Sequence, residues 1–201
     1  MNLANKLTIL RMILVPFFVI IGYLGLGGII AGTVLEIPIY MILMNLIFII
    51  ASITDKLDGY IARSRNQVTT FGKFLDPLAD KILVISALVM LVEFGKIPAW
   101  IPIIVLTREF LVSGYRLIAA ENGQVIAASI WGKIKTVTQM LAIILIFIDK
   151  YNFFDFVNNS MTVVQYGINI VSSILMFISV VATIFSGWDY LKNGKELLKD
   201  A

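Results

Sequence analysis

The sequence predicts an all-α, polytopic membrane protein with six transmembrane helices. Residues 1–201 are expected to form a single integral-membrane domain. Three observations carry this prediction. First, 59% of the residues are apolar, 14% are charged and the mean hydropathy is +0.93, whereas a soluble domain is about half apolar and about a quarter charged. Second, six apolar runs approach the roughly 20 residues that a helix needs to cross a bilayer. Third, Lys and Arg are distributed unevenly between the connecting segments.

The apolar runs give the predicted spans in chain order. They are Leu7–Gly27, Pro38–Thr54, Gly72–Glu93, Pro98–Ala119, Lys133–Ile148 and Val163–Trp188. A short interfacial segment, residues 1–6, is expected before the first span, and Pro16 is expected to kink that span. The first run lacks a small-residue cleavage site, which predicts a retained span and not a signal peptide. The sixth run is long enough to tilt or to continue into water, with a cytoplasmic tail over about 189–201.

The positive charges predict the orientation. With six spans, one side of the membrane receives Lys6, Arg11, Lys56, Arg63, Arg65, Lys73, Arg116, Lys133, Lys135, Lys192, Lys195 and Lys199. The other side receives Lys96 and Lys150. Because segments rich in Lys and Arg stay in the cytoplasm, both termini are expected there, in a multi-pass protein of the cell membrane. Aromatic residues at span ends are expected to be interfacial anchors: Trp100, Trp131, Trp188 and Tyr190.

The sequence contains neither cysteine nor histidine. This excludes disulfide bonds, thiol chemistry and zinc–thiolate sites. A general base must then be Asp, Glu, Lys or Tyr, and a metal site must be built from oxygen ligands. Oxygen ligands favour hard cations, here Mg²⁺ or Mn²⁺.

Four aspartates stand where two apolar runs meet a short polar connection. Asp55 and Asp58 are three residues apart near the end of the second span, and Asp76 and Asp80 are four apart near the start of the third. Each pair shares one helix face, and a helical hairpin would bring the two faces together. Four neighbouring carboxylates need cations to stay ionised, and two such cations can clamp the attacking and leaving oxygens of a displacement at phosphorus. Salt bridging to Lys56, Lys73 or Lys81 is the alternative.

The same stretch carries a longer pattern, D55-x2-D58-G59-x2-A62-R63-x8-G72-x3-D76-x3-D80. It resembles, at every fixed position, the signature of the CDP-alcohol phosphatidyltransferase family. The resemblance implies a six-span homodimer whose site opens to the cytoplasm, and transfer of a phosphatidyl group from a CDP-linked lipid to an alcohol with release of CMP. It also implies that the four aspartates hold two divalent cations and that Asp80 is the general base. Gly59, Ala62, Arg63 and Gly72 would then belong to the nucleotide and CDP-lipid site.

Basic residues in the fourth and fifth runs suggest an acceptor that carries a phosphate. Arg108 and Arg116 lie in the fourth, and Lys133 and Lys135 begin the fifth. Cations within a helical bundle need an anion, and several that converge on one pocket suit a phosphate dianion. The alternative is an ion pair of Arg108 with Glu109, or of Arg116 with Glu121, together with lysines that only set the topology.

Three further strings resemble the bacterial branch of the family that makes phosphatidylglycerol phosphate. They are N5-K-L-T8-I-L-R11, T107-R-E-F-L-V-S-G-Y-R116 and W131-G-K-I-K135-T-V-T-Q139. The spacing of Asn5 and Thr8 by itself favours a role in helix capping. The resemblance implies CDP-diacylglycerol and sn-glycerol 3-phosphate as substrates, and it assigns Asn5 and Thr8 to the nucleotide pocket instead. The acceptor phosphate would dock on Arg108, Arg116, Lys133 and Lys135.

The sequence leaves three alternative functions. Another acceptor, inositol phosphate in particular, would use the same chemistry. A membrane prenyltransferase also places aspartate-rich motifs on helices, but usually with more spans and other spacings. A transporter with intramembrane acids would move solute without releasing CMP.

Overall fold

The computed structural model describes residues 3–64, 70–121, 123, 129–155 and 161–193, and for residues 3–7, 55–64, 70–77, 80, 121 and 193 it gives the helical backbone without side-chain detail. Within this part of the chain there are six helices, as predicted: α1 Leu3–Leu26, α2 Ile39–Ser64, α3 Thr70–Glu93, α4 Trp100–Glu121, α5 Ile130–Ile148 and α6 Val163–Asn193. Two short strands, β1 Thr33–Val34 and β2 Ile37–Pro38, form an antiparallel hairpin before α2.

Three of these helices are long and apolar enough to cross a bilayer. Their candidate spans are Thr8–Leu26, Ile130–Ile148 and Val163–Lys192, and a shorter apolar stretch covers Ile39–Thr54. In α4 the apolar sequence is interrupted by Arg108, Glu109 and Arg116, so composition alone does not identify that helix as a span. Six membrane passes therefore remain a prediction.

The helix boundaries differ from the apolar runs at their polar ends. The first helix begins at Leu3 and includes Pro16 without a break in the helix. The second continues to Ser64, ten residues beyond the predicted Thr54. Helix α6 continues to Asn193, and the rest of the expected tail, residues 194–201, lies outside the described part. Hydropathy finds the apolar stretch of a helix, whereas the backbone stays helical beyond it.

The first helix shows which faces of the bundle are buried. Thr8, Arg11, Val15 and Phe18 recur at helical spacing and are buried. The opposite face carries exposed apolar side chains: Leu10, Ile13, Phe17 and Ile20. An outer face built of exposed apolar side chains, with the polar Thr8 and Arg11 turned inward, is the arrangement expected where lipid covers the outer surface.

Two glycines allow α1 to pack closely on its neighbours. A Cβ on Gly25 would overlap the Tyr40 ring in α2, and one on Gly22 would meet the flexible end of the Met90 side chain in α3. Any larger residue at position 25 would overlap the tyrosine ring. Close approach through small residues is how membrane helices gain packing contacts, and here it fixes α1 against the two helices that carry the aspartates.

A buried lysine ties the α3–α4 turn to the end of α5. The Lys96 side chain is 7% exposed, and its Nζ donates to the carbonyl oxygens of Asp149 at 2.8 Å, Lys150 at 2.7 Å and Tyr151 at 3.3 Å. Asp149 in turn accepts hydrogen bonds from the Tyr151 amide and from Nδ2 of Asn169 in α6. Burial lowers the pKa of Lys96, and the Asp149 carboxylate opposes this shift. Lys96 and Lys150 thus lie at the same end of the bundle.

The hairpin closes over that same end. Leu35 and Glu36 form its two-residue turn with φ of 53° and 66°, the left-handed geometry that such tight turns require. Glu36 accepts hydrogen bonds from Lys150 at 2.9 Å and from Gln165 at 3.1 Å. The hydrogen bond from Lys150 lowers the pKa of Glu36. This end is therefore crossed by polar contacts between the hairpin, α5 and α6.

Candidate active site

The four aspartates lie on the two helices that the sequence predicted. Asp55 and Asp58 belong to α2, and Asp76 and Asp80 belong to α3. Their side chains lie outside the described residues, as does the connection 65–69. Among the side chains that the structure does describe, no three Asp or Glu residues are grouped so as to hold a metal ion. The metal site and the role of Asp80 as base therefore stay predictions.

The predicted nucleotide residues fall mostly in the same part of the chain. Gly59, Ala62 and Arg63 lie in α2, Gly72 lies in α3 and Asn5 lies in α1, all outside the described side chains. Thr8 is described, and it is 1% exposed on the inner face of α1. Arg11, one turn further on, is equally buried. A polar stripe thus runs along the inside of α1 near its start.

A polar cavity lies between α3, α4 and α5. Its volume is about 270 Å³, and the charged side chains that line it are Lys81, Arg108, Glu109, Arg116 and Lys135. Three of the four predicted phosphate-binding residues thus line one cavity. Four cations and one carboxylate around so small a space favour the entry of an anion.

Glu109 is the centre of the charge network in this cavity. Its Oε1 accepts from Nζ of Lys135 at 2.7 Å and from Nη1 of Arg108 at 2.9 Å. Its Oε2 is 3.8 Å from Nζ of Lys81, which also donates to Oγ of Ser113. The Arg108–Glu109 ion pair weighed as an alternative is therefore present. It does not exclude anion binding, because the pair is part of the cavity wall.

The Arg108 guanidinium is held from a second side by α5 and α6. Its Nη2 donates to Oγ of Ser186, which is 3.3 Å from Oγ of Ser129, the N-cap of α5. A Cβ on Gly132 would lie 3.1 Å from Nη2 of Arg108, so glycine leaves room for the guanidinium. Nε of Arg108 is buried and has no hydrogen-bond partner among the described residues. The Arg108 side chain is thus held by Glu109 of its own helix and by Ser186 of α6, beside the start of α5.

Arg116 approaches the cavity from a more exposed position. Its Nη2 donates to the hydroxyl of Tyr190 at 2.7 Å, and its guanidinium lies 5.5 Å from the centre of that ring. Tyr190 is 4% exposed. A cation over an aromatic face is held in one orientation, so α6 positions Arg116.

Lys133 and Lys135 differ in their surroundings although they are only two positions apart. Lys135 is 6% exposed and lines the cavity, whereas Lys133 is exposed and is not among the lining residues. Two helical positions differ by about 200° around the axis, so the two side chains leave α5 in nearly opposite directions.

Sequence reasoning missed several residues of the cavity. The sequence suggests Lys81 only as a salt-bridge partner for the aspartates, and it contains Gln139 only as the last residue of one matching string. Gln139 is 1% exposed, and its Nε2 has no hydrogen-bond partner among the described residues. It lies four residues after Lys135, so the helical period of α5 is the signal that would have found it. Ser186 and Tyr190 come from α6, and no local signal connects them to the cavity.

The cavity lies next to the helix that carries Asp76 and Asp80. Val84, one helical turn after position 80, lines it together with Lys81 and Ile85. An anion in the cavity would therefore lie beside the segment in which the aspartate pattern ends.

Comparison with known proteins is consistent with these features. The model of the family described as CDP-alcohol phosphatidyltransferase matches residues 1–185. A protein of Bacillus subtilis named CDP-diacylglycerol–glycerol-3-phosphate 3-phosphatidyltransferase is 41% identical over 205 residues, covering 98% of this chain and 97% of the relative. Proteins with the same name from Haemophilus influenzae and Rickettsia bellii are 40% and 34% identical, over 99% and 97% of this chain and 96% of each relative. The chain belongs to the CDP-alcohol phosphatidyltransferase family.

Proposed function

We propose that this protein transfers the phosphatidyl group of CDP-diacylglycerol to sn-glycerol 3-phosphate, giving phosphatidylglycerol phosphate and CMP. The family and the names of its full-length relatives support the reaction type. The observation that carries the choice of acceptor is the cationic cavity, since a phosphate on the soluble substrate is what its side chains suit.

The acceptor phosphate is assigned to Arg108, Arg116 and Lys135. Arg108 and Lys135 already bind a carboxylate oxygen at 2.9 and 2.7 Å, so their donors converge on the position of an anion. Arginine binds phosphate oxygens through paired N–H groups, which fixes orientation as well as charge. Lys133 is a weaker candidate because it is exposed outside the cavity lining.

The donor site is assigned to the ends of α2 and α3. Asp55, Asp58, Asp76 and Asp80 offer oxygen donors, and the chain has no histidine or cysteine to compete with them. This donor set fits two Mg²⁺ or Mn²⁺ ions. When bound, such ions neutralise the diphosphate of the lipid donor and the charge that develops on the leaving CMP. Gly59, Ala62, Arg63, Gly72, Asn5 and Thr8 are assigned to the nucleotide.

The reaction is a single displacement at phosphorus. Asp80 orients the C1 hydroxyl of glycerol 3-phosphate and takes its proton as the hydroxyl oxygen attacks the phosphorus that bears diacylglycerol. The new O–P bond forms as the bond from that phosphorus to the bridging oxygen breaks, and CMP leaves with the bonding electrons. Holding acceptor and donor in line is the main contribution of the protein. One displacement inverts the configuration at phosphorus.

The membrane arrangement is part of the proposal. Six membrane passes follow from the six apolar runs. With six passes, the positive charges along the chain place both termini and the site on the cytoplasmic side. The end that holds Lys96 and Lys150 would then face away from the cytoplasm. A homodimer is proposed from the family resemblance.

An acceptor panel tests the proposal. Purified protein with CDP-diacylglycerol and Mg²⁺ receives radiolabelled sn-glycerol 3-phosphate, inositol phosphate, glycerol or serine, and CMP release and labelled lipid are measured. Glycerol 3-phosphate should be the preferred acceptor, and glycerol, which lacks the phosphate, should react poorly. Preference for inositol phosphate would favour the alternative function, which is the same transfer with inositol phosphate as acceptor. The cavity alone does not separate the two, since it suits any phosphomonoester. Equal use of glycerol would contradict a role for the cavity.

A further inference from the structure

The cavity proposed for the acceptor phosphate contains an anion of its own. Lys81, Arg108, Arg116 and Lys135 line it, and the carboxylate of Glu109 lies among them. The Glu109 side chain is 14% exposed, so water screens these contacts only in part. A carboxylate in a phosphate site is unexpected, because like charges repel there.

Glu109 uses the hydrogen-bond donors that a phosphate needs. One of its oxygens accepts from both Lys135 and Arg108, at 2.7 and 2.9 Å. A phosphate dianion that binds the same two groups must share them with the carboxylate or displace it. With Glu109 charged, a bound dianion leaves one excess positive charge among the lining residues, and with a neutral residue there it leaves two. The carboxylate thus weakens the attraction of the cavity for any anion.

The chemistry of the reaction gives this weakening a use. The phosphate of glycerol 3-phosphate is not consumed, since the attack comes from a hydroxyl at the other end of the molecule. The product carries the same phosphomonoester, so a cavity that holds the substrate phosphate also holds the product. Contacts to this phosphate bind substrate and product equally tightly. Such uniform binding does not accelerate the chemical step, and it slows the release of product.

We propose that Glu109 is a built-in competitor for Lys135 and Arg108 that limits the affinity of the cavity for phosphomonoesters and so allows the product to leave. This inference rests on the proposed function for its acceptor and product. Glu109 is a positioning residue and not a catalytic one, because it acts through the two cations and touches no reacting atom.

The test compares Glu109→Gln, which keeps the shape and removes the charge, with the matched control Glu93→Gln. Glu93 is exposed at the end of α3 and does not line the cavity. Binding of sn-glycerol 3-phosphate and of inorganic phosphate is measured by calorimetry without the lipid donor. Glu109→Gln should bind both more tightly, on the order of tenfold for one charge removed at close range, whereas Glu93→Gln should match the wild type.

Kinetics provide the second readout. In Glu109→Gln the KM for glycerol 3-phosphate should fall and the steady-state kcat should fall with it, while the single-turnover rate stays within about twofold of the wild type, because only release is slowed. Added inorganic phosphate should inhibit the variant at lower concentrations. Weaker or unchanged anion binding in Glu109→Gln, or a single-turnover rate that falls as far as kcat, would overturn the inference.

Two further comparisons keep the result interpretable. Glu109→Asp retains the charge but shortens the reach to Lys135, so its anion affinity should lie between those of the wild type and Glu109→Gln. If the glutamine variant does not fold, anion binding by the aspartate variant that is weaker than that of the wild type overturns the inference.

A wild type that makes no phosphatidylglycerol phosphate, while Glu109→Gln still binds phosphate more tightly, would contradict the proposed function and support the competitor role. An active wild type with a weaker-binding glutamine variant would contradict the competitor role alone.

Discussion

Arg116 shows how one residue depends on a distant helix for its position. Its guanidinium lies against the Tyr190 ring and donates to the Tyr190 hydroxyl. The sequence indicated that Arg116 binds an anion, but it could not indicate that α6 holds it, because 74 residues separate the pair. Fixing a long side chain in advance reduces the entropy lost when a phosphate binds.

Replacing Arg116 should therefore weaken the acceptor site selectively. In Arg116→Ala the KM for glycerol 3-phosphate should rise about tenfold or more, since a charge-assisted hydrogen bond contributes about 1.5–3 kcal/mol. The KM for CDP-diacylglycerol should change little. Tyr190→Phe, which keeps the ring and removes the hydroxyl, should give a smaller rise in the same constant. Equal rises for both substrates in initial-rate measurements would count against phosphate docking at Arg116.

Asp80 is the residue on which the proposed chemistry depends most. Asp80→Asn should lower kcat by roughly 100-fold or more, because the variant loses both a general base and a metal ligand. Asp155→Asn, in the loop after α5 and remote in sequence from the pattern, is the matched control and should stay active. Gel filtration and thermal unfolding in detergent check that both variants are folded. Full activity in Asp80→Asn would remove Asp80 from the mechanism.

At the scale of elements, the helical period explains which predictions the structure supports. Lys135 lines the cavity and Lys133 does not, because side chains two positions apart leave an α-helix on nearly opposite sides. The period alone could not decide which of the two faces inward. The hairpin was not predicted, since Leu35 and Glu36 are not residues that favour left-handed turns and their geometry is supported by contacts from Lys150 and Gln165. The end of α2 was missed because it is polar yet helical.

The contacts of Lys96 predict that one side chain stabilises the junction of α3, α4 and α5. Lys96→Met should lower the free energy of unfolding by about 3 kcal/mol, because three carbonyl oxygens lose a charged donor and are left buried. Lys150→Met is the matched control. The Lys150 side chain is 42% exposed and pairs with the exposed Glu36, so its loss should matter much less. Thermal unfolding in the same detergent compares them. Equal destabilisation by the two substitutions would contradict the assignment.

At the scale of the whole molecule, composition predicted a membrane protein, the six apolar runs predicted the number of helices, and the aspartate pattern predicted the family. Both depend on properties that are local along the chain. The cavity depends on contacts between helices, such as those that join Glu109 of α4 to Lys81 of α3 and Lys135 of α5. Arg108 of α4 is in turn joined to Ser186 of α6. The prediction of an anion site rests on residue types, but contacts between distant helices decide which side chains line the cavity.

The proposed metal dependence is a property of the complete site. EDTA should stop the reaction, and excess Mg²⁺ or Mn²⁺ should restore it, because uncompensated carboxylates cannot accept a diphosphate beside them. Calorimetry should show no loss of glycerol 3-phosphate binding after EDTA, since the cationic cavity needs no metal. Undiminished turnover in EDTA would exclude the two-cation site.

The most direct test of the central claim is the stoichiometry of one reaction in proteoliposomes. CDP-diacylglycerol is placed in the bilayer, sn-glycerol 3-phosphate is added, and CMP and phosphatidylglycerol phosphate are measured together. We expect one CMP for each phosphatidylglycerol phosphate, and negligible CMP when the acceptor is left out. CMP release that does not depend on glycerol 3-phosphate, or uptake of glycerol 3-phosphate without CMP release, would contradict the account.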